Sequence, residues 1–199
     1  AWDGYVKGSV TEKDFLEILR CVEEINSRFW LVPDLFDVEY EFGQVSASKT
    51  SYVDGKASME SGDYEAAMQS FAQVIPEDTE NYTDAIRAAK QAESAYISEV
   101  VQQAKSLAAS ESWDEAISLL ELAGDVVGYN EQLQSLAIEI ATDCYAAAVA
   151  EAYRDGDWLS TVRYYEAAME DPRVLAPTAE MTRLYSESRS SYIAGATPR

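Results

Sequence analysis

Three stretches of this chain, SGDYEAAMQSFAQV (61–74), SESWDEAISLLELA (110–123) and DGDWLSTVRYYEAA (155–168), align without a gap. In each, a short polar turn leads into an aromatic residue: Tyr64, Trp113 or Trp158. Three positions on stands a small side chain (Ala67, Ala116, Thr161), and four beyond it a bulky one (Phe71, Leu120, Tyr165). The last matched position is Val74, Ala123 or Ala168. Offsets of three and four place these side chains on one stripe of a helix. A small residue suits the point where two helices approach closely, and a large one the point where they diverge.

An amphipathic helix precedes each turn. Leu133, Leu136, Ala137, Ile140, Ala141, Cys144, Tyr145, Ala148, Val149 and Ala152 form one helical-period series before the third. Tyr82, Ile86, Ala89, Ala92, Tyr96, Val100, Ala104 and Leu107 do the same before the second, and a shorter segment, about Ser48 to Glu60, precedes the first. After each second helix comes a break at Pro76, at Gly124 to Gly128 and at Pro172. Thr178–Ile193 reads as a closing helix, with Met181, Leu184, Tyr185 and Tyr192 as its apolar residues and Gly195 as its end. The pattern predicts an all-α chain, a helix–turn–helix unit stated three times, in which each pair buries its stripe against the next.

The run GDYEAAMQSF, echoed by SWDEAISLLELA and GDWLSTVRYYEAA, resembles the tetratricopeptide repeat family. Gly55, seven residues before Gly62, matches the small residue of the family's first helix, and Ala104 and Val149 hold that place later. The resemblance covers about residues 48–195. It implies a right-handed α-solenoid of about three repeats with capping helices, whose first helices line a concave groove for peptides or extended partner segments. Two features depart from the family. Ala67 to Ala116 is 49 residues and Ala116 to Thr161 is 45, against a usual period of about 34. Thr161 also stands where the pattern has Ala.

The expected organisation is an N-terminal helical cap and extended segment (1–47), the repeat array (48–195) and a short tail (196–199). Thr11-Glu12-Lys13-Asp14 reads as a variant capping box. It opens a helix with Phe15, Leu16, Ile18, Leu19, Val22, Ile25 and Phe29 on one face, expected to cover the open side of the first repeat. Phe36-Asp37-Val38-Glu39-Tyr40-Glu41-Phe42 then alternates strictly, as a half-buried strand does. Three outcomes fit it: a short helix after Pro33, an extended segment packed on the array, or a strand pairing with another chain.

Charge and composition narrow the function. The chain carries 36 acidic and 15 basic residues, a formal net of −21. Such a field repels nucleic-acid phosphates and anionic lipid headgroups. No run approaches the roughly 18 apolar residues of a membrane-spanning helix. The absence of histidine removes the commonest general base and metal ligand together. Cys21 and Cys144 belong to no CxxC motif and read as two buried thiols or one disulfide. Neither a phosphate-binding glycine loop nor a Gly-x-Ser-x-Gly elbow is present. Asp155-Gly156-Asp157 lacks the rest of a calcium loop, and Asp63, Glu65, Asp114 and Glu115 fit first-turn positions that complement a helix dipole. The reading is therefore non-enzymatic, with no cofactor and no metal. Asn81-Tyr82-Thr83 is a formal glycosylation sequon.

Groove-facing positions implied by the resemblance fall on Lys49, Tyr52, Lys56, Met59 and Glu60, then Ser98, Val101, Lys105, Ala108 and Ala109, then Asp143, Ala146, Ala150, Tyr153 and Arg154. They hold four cations against two acids in a chain that is otherwise strongly negative. Lys49, Tyr52, Lys56, Met59, Val101, Lys105, Tyr153 and Arg154 are the expected partner-binding set. Their chemistry fits a carboxylate-bearing protein or peptide partner, unless the cations merely lie along helix stems. The expected role is a protein–protein scaffold or adaptor module. The alternatives are a cell-surface ligand- or glycan-binding module, or a spacer in a larger membrane-anchored bacterial protein. The acidity and the start without methionine point to an extracellular or cell-surface location, with the cytoplasm as the alternative.

Overall fold

The computed structural model describes residues 1–29 and 35–196. Among these residues there are nine helices and no strand. They are α1 (Trp2–Val6), α2 (Glu12–Phe29), α3 (Leu35–Ser61), α4 (Tyr64–Ala72), α5 (Tyr82–Ala109), α6 (Trp113–Val127), α7 (Glu131–Arg154), α8 (Trp158–Glu170) and α9 (Ala179–Ala196). The chain divides into two compact units, Ala1–Tyr96 and Ile97–Arg199, and α5 contributes to both. In the first unit α3 packs on α4; in the second α7 packs on α6, α8 and α9.

The three turns found in the sequence are the same turn in hydrogen-bond terms. At α3–α4, Gly62 N–H donates to the Met59 carbonyl (3.3 Å) and Asp63 N–H to the Ser58 carbonyl (2.9 Å). At α5–α6, Glu111 donates to Ala108 and Ser112 to Leu107, both at 3.0 Å. At α7–α8, Gly156 donates to Tyr153 (3.0 Å) and Asp157 to Ala152 (2.9 Å). This pair of bonds is the Schellman motif, which satisfies the last carbonyls of a helix and requires a left-handed residue after it. Gly62 (φ 79°), Glu111 (φ 63°) and Gly156 (φ 76°) occupy that place. The next residue then caps the second helix. The Asp63 carboxylate accepts from Ala66 N–H at 3.1 Å, and the Asp157 carboxylate from Ser160 N–H at 3.0 Å. Ser112 stands in the same position without a side-chain cap bond.

The small residues lie where the pattern requires. Ala67, Ala116 and Thr161 are completely buried. Thr161 fills the alanine position by returning its hydroxyl to the Asp157 carbonyl, 2.9 Å away, so its oxygen is not stranded in the core. Gly55, Ala104 and Val149 are buried as well. At Gly55 the reason is direct, because an added Cβ would lie 2.7 Å from the Phe71 ring.

The N-terminal elements close the first unit. Trp2, Tyr5, Phe15 and Phe42 form an aromatic cluster with ring centroids 5.1–6.1 Å apart. Val38, Val45 and Ile75 join it, so α1 and α2 cover the first half of α3. Thr11 and Asp14 interact as a capping box in part. Asp14 N–H donates to the Thr11 hydroxyl (3.2 Å), which in turn donates to the Asp14 carboxylate (2.8 Å).

Several expectations need correction. Of the three outcomes for the alternating run the helix holds, but it is long rather than short: Phe36 to Phe42 lies inside α3, which continues unbroken to Ser61 and crosses residue 47 without a break. Alternation and a helical stripe share positions 38 and 42 and part company at position 40. Val38, Phe42 and Val45 share one helical stripe, while Tyr40 points outward at 65% exposure. Pro33, which was to open a short helix, lies outside the described residues, as do residues 197–199 of the expected tail. On α2, among residues 12–27, Phe15 and Leu19 are the buried residues, while Leu16, Ile18 and Ile25 are exposed. Ala85 rather than Ile86 faces the core of the first unit. Both cysteines are free, Cys21 being exposed and Cys144 half-buried, where desolvation raises the thiol pKa.

The repeated turn gives a paired prediction. Open space surrounds Gly62, so Gly62→Ala meets only the backbone cost of the left-handed conformation and should lower the unfolding free energy by about 1 kcal/mol. Glu111→Gly should instead raise it by about 0.5 kcal/mol. Urea unfolding of the two variants measures both, and opposite signs are required.

Candidate functional site

On α3 the four expected positions form one strip in the first unit, but they differ in what they are free to do. Lys49 is a structural cation. Its ammonium pairs with Glu80 and lies 3.7 Å from the Asp78 carboxylate, and only a fifth of its side chain is exposed. Asp78 itself is fully buried. It accepts from the Ser48 hydroxyl (3.1 Å) and from the Asn81 amide nitrogen on both carboxylate oxygens (3.0 and 3.1 Å). Ser48 also receives Ile75 N–H at 3.1 Å. The segment after α4 is thus tied to α3 by a carboxylate whose hydrogen bonds offset its desolvation.

Tyr52 is half-buried against Phe71, with centroids 6.0 Å apart, and its hydroxyl donates to the Asp84 carboxylate of α5 at 2.6 Å. That bond holds the phenol pKa above its ordinary value and the carboxyl below its own, helped by Arg87, which pairs with Asp84. Met59 packs inward on the Ala67–Phe71 cluster. Lys56 is exposed, with its ammonium 5.5 Å from the Tyr52 ring centroid. Among the described residues it has no ion pair.

In the second unit Val101 is buried and cannot line a surface, because α5 buries Ile97, Val100, Val101 and Ala104 together. Lys105 is exposed and, among the described residues, unpaired. Tyr153 repeats the arrangement of Tyr52. Its hydroxyl donates to the Glu187 carboxylate of α9 at 2.6 Å, its ring meets Trp158 edge-on at 5.4 Å, and Arg183 pairs with Glu187 at 2.8 Å. The hydrogen bond to Glu187 raises the Tyr153 pKa, and that bond together with Arg183 lowers the carboxyl's. Arg154 is exposed and lies near Glu151 and Asp155.

Each unit thus contains a tyrosine from one helix, a carboxylate from a later helix and an arginine beside that carboxylate. The strip read from single helices as basic is offset by acids arriving from elsewhere: Glu80 of the α4–α5 connection and Asp84 of α5 in one unit, Glu187 of α9 in the other. Asp84 and Glu187 carry a local signature in the sequence, the i,i+3 and i,i+4 pairs Asp84–Arg87, Glu180–Arg183 and Arg183–Glu187. Lys56 and Lys105 remain as the cations able to meet an external anion. No group of three or more His, Cys, Asp or Glu side chains suited to a metal ion occurs among the described residues.

A second loop carboxylate works as Asp78 does. Asp171, after α8, accepts two hydrogen bonds from the Arg173 guanidinium (3.0 and 2.9 Å), one from Arg173 N–H (2.9 Å) and one from the Tyr145 hydroxyl on α7 (3.3 Å). The Arg173 hydrogen bonds push its pKa down to about 2.

Both anchors can be tested by unfolding. Asp78→Ala leaves Ser48, Asn81 and Lys49 without their common acceptor and should cost about 3 kcal/mol. Because the folded-state pKa of Asp171 is depressed, its stabilisation is present above a free carboxyl's value of about 3.9 and is lost as pH falls toward 2. Asp171→Asn should therefore lower stability at neutral pH by about 1–2 kcal/mol and flatten the fall between about pH 4 and pH 2. No known protein family, curated protein or solved structure matches this chain.

Proposed function

We propose that the chain is a non-enzymatic interaction module, a right-handed stack of tetratricopeptide-like helix pairs that holds a peptide or partner domain on the faces of its first helices. The observation that carries this reading is the threefold recurrence of one turn. The same two Schellman bonds, the same left-handed position and the same buried small residue appear at Gly62, Glu111 and Gly156. A pair of helices closed in this way buries one face and leaves an edge that another pair can cover, which is the physical basis of repeat stacks.

Lys56 and Lys105 are the contact residues of this reading. Each is an exposed cation on the first helix of a pair, and Lys56 sits over an aromatic ring. A partner carboxylate meeting Lys56 would gain a charge-assisted bond, with the Tyr52 ring beside it for an apolar neighbour. The partner class is therefore an acidic peptide segment with interspersed apolar residues.

Peptide-display selection on the full chain, followed by fluorescence anisotropy of the winners, tests the proposal. Enriched peptides should carry Asp or Glu. Lys56→Glu and Lys105→Glu, made separately, should each weaken binding at least tenfold, and added salt should weaken it further. Selection without acidic enrichment, or unchanged affinity in both variants, would remove the reading.

A further inference from the structure

A cavity of about 480 Å³ lies in the first unit, beside the N-terminal part of α3. Trp2 and Tyr40 supply aromatic surface, Val45 and Ile75 supply aliphatic surface, and Glu41 and Glu77 bring two carboxylates. Its volume falls within the range of small-ligand sites, and apolar walls with a few polar groups are the usual composition of such sites.

The walls differ in how firmly they are held. Trp2 is braced by Tyr5 and Phe15, with ring centroids 6.1 and 5.6 Å away, and Val45 is 1% exposed. Tyr40, at 65% exposure, is the open side. Folding gives Tyr40 no place in the core, and its outward position on α3 is what defeated the alternating strand pattern.

Electrostatics choose the ligand. Among the described residues neither Glu41 nor Glu77 has an ion pair, and the nearby cations are taken: Lys7 by Asp3, Lys49 by Glu80 and Asp78. The cavity lining contains no Lys or Arg. Both carboxylates are exposed, so a neutral apolar ligand would gain nothing from them, and an anion would be repelled by them and by a chain of net charge −21. A cation with an apolar surface satisfies every wall at once, because aromatic faces attract such ions and carboxylates neutralise them.

We infer that this cavity, walled by Trp2 and Tyr40 and charged by Glu41 and Glu77, binds an alkylated ammonium group. The group can reach it on a free small molecule or on the lysine side chain of a protein. The site is separate from the acidic-peptide reading and has the opposite charge preference, so either stands if the other fails.

The test uses the full chain and the indole N–H signals of its tryptophans in two-dimensional NMR, with the Trp2 signal assigned from Trp2→Phe. Choline should shift that signal saturably and bind at least tenfold more tightly than 3,3-dimethylbutan-1-ol, its neutral isostere. Glu41→Gln with Glu77→Gln should weaken choline binding at least tenfold, and Tyr40→Ala should weaken it while the remaining indole signals stay in place. A short peptide carrying trimethyllysine forms the second arm. Tighter binding of the peptide identifies a protein side chain as the source, and equal or weaker binding identifies a free ammonium compound. Equal shifts with choline and its neutral isostere, equal shifts with sodium chloride at matched ionic strength, or no loss in the double variant would overturn the inference.

Discussion

Each helix pair depends on a backbone reversal that must leave no carbonyl stranded. A helix ends with unsatisfied acceptors, and the next helix starts with unsatisfied donors. The Schellman bonds at Gly62, Glu111 and Gly156 answer the first need within two residues, and the residue that follows is positioned to answer the second. Because the turn is that short, the two helices leave it close together. Closeness then dictates small residues such as Gly55, Ala67, Ala116 and Thr161, and it lets the Phe71 ring occupy the space that a side chain at Gly55 would need. The hydrophobic stripe is therefore partly a consequence of the turn chemistry.

The helices and turns were legible in the sequence because both signals are local. A left-handed residue and a cap at fixed offsets need no knowledge of distant residues, and helical periodicity repeats itself over many positions. The aligned segments accordingly mark the starts of α4, α6 and α8 at Tyr64, Trp113 and Trp158. The run from Phe36 to Phe42 was ambiguous for an equally physical reason. Alternation and a helical stripe share some positions, and only the partner surface decides which apolar residues count. Here that surface is Tyr5 and Phe15, which select Phe42 and leave Tyr40 outside.

Surface charge was harder to read than packing. Register, taken one helix at a time, identified Lys49, Lys56, Lys105 and Arg154 as groove-facing cations, but a potential is a sum over every nearby element. Glu80 and Asp84 lie more than twenty residues beyond Lys49 and Tyr52 in sequence and contact them only after folding. Val101 is no surface position for the related reason that α5 buries it together with Ile97, Val100 and Ala104, a stripe wider than a single-face register allows.

The corner around Asp78 also bears on what can be attached to the chain. The Asn81 side-chain nitrogen, the atom a glycosylating enzyme would modify, is the one that Asp78 holds through both carboxylate oxygens. A sugar bonded there would replace a hydrogen that the buried acid accepts and would place a bulky, hydrated group beside it. Closure of this corner and decoration of the sequon therefore compete for one atom, and whichever happens first hinders the other.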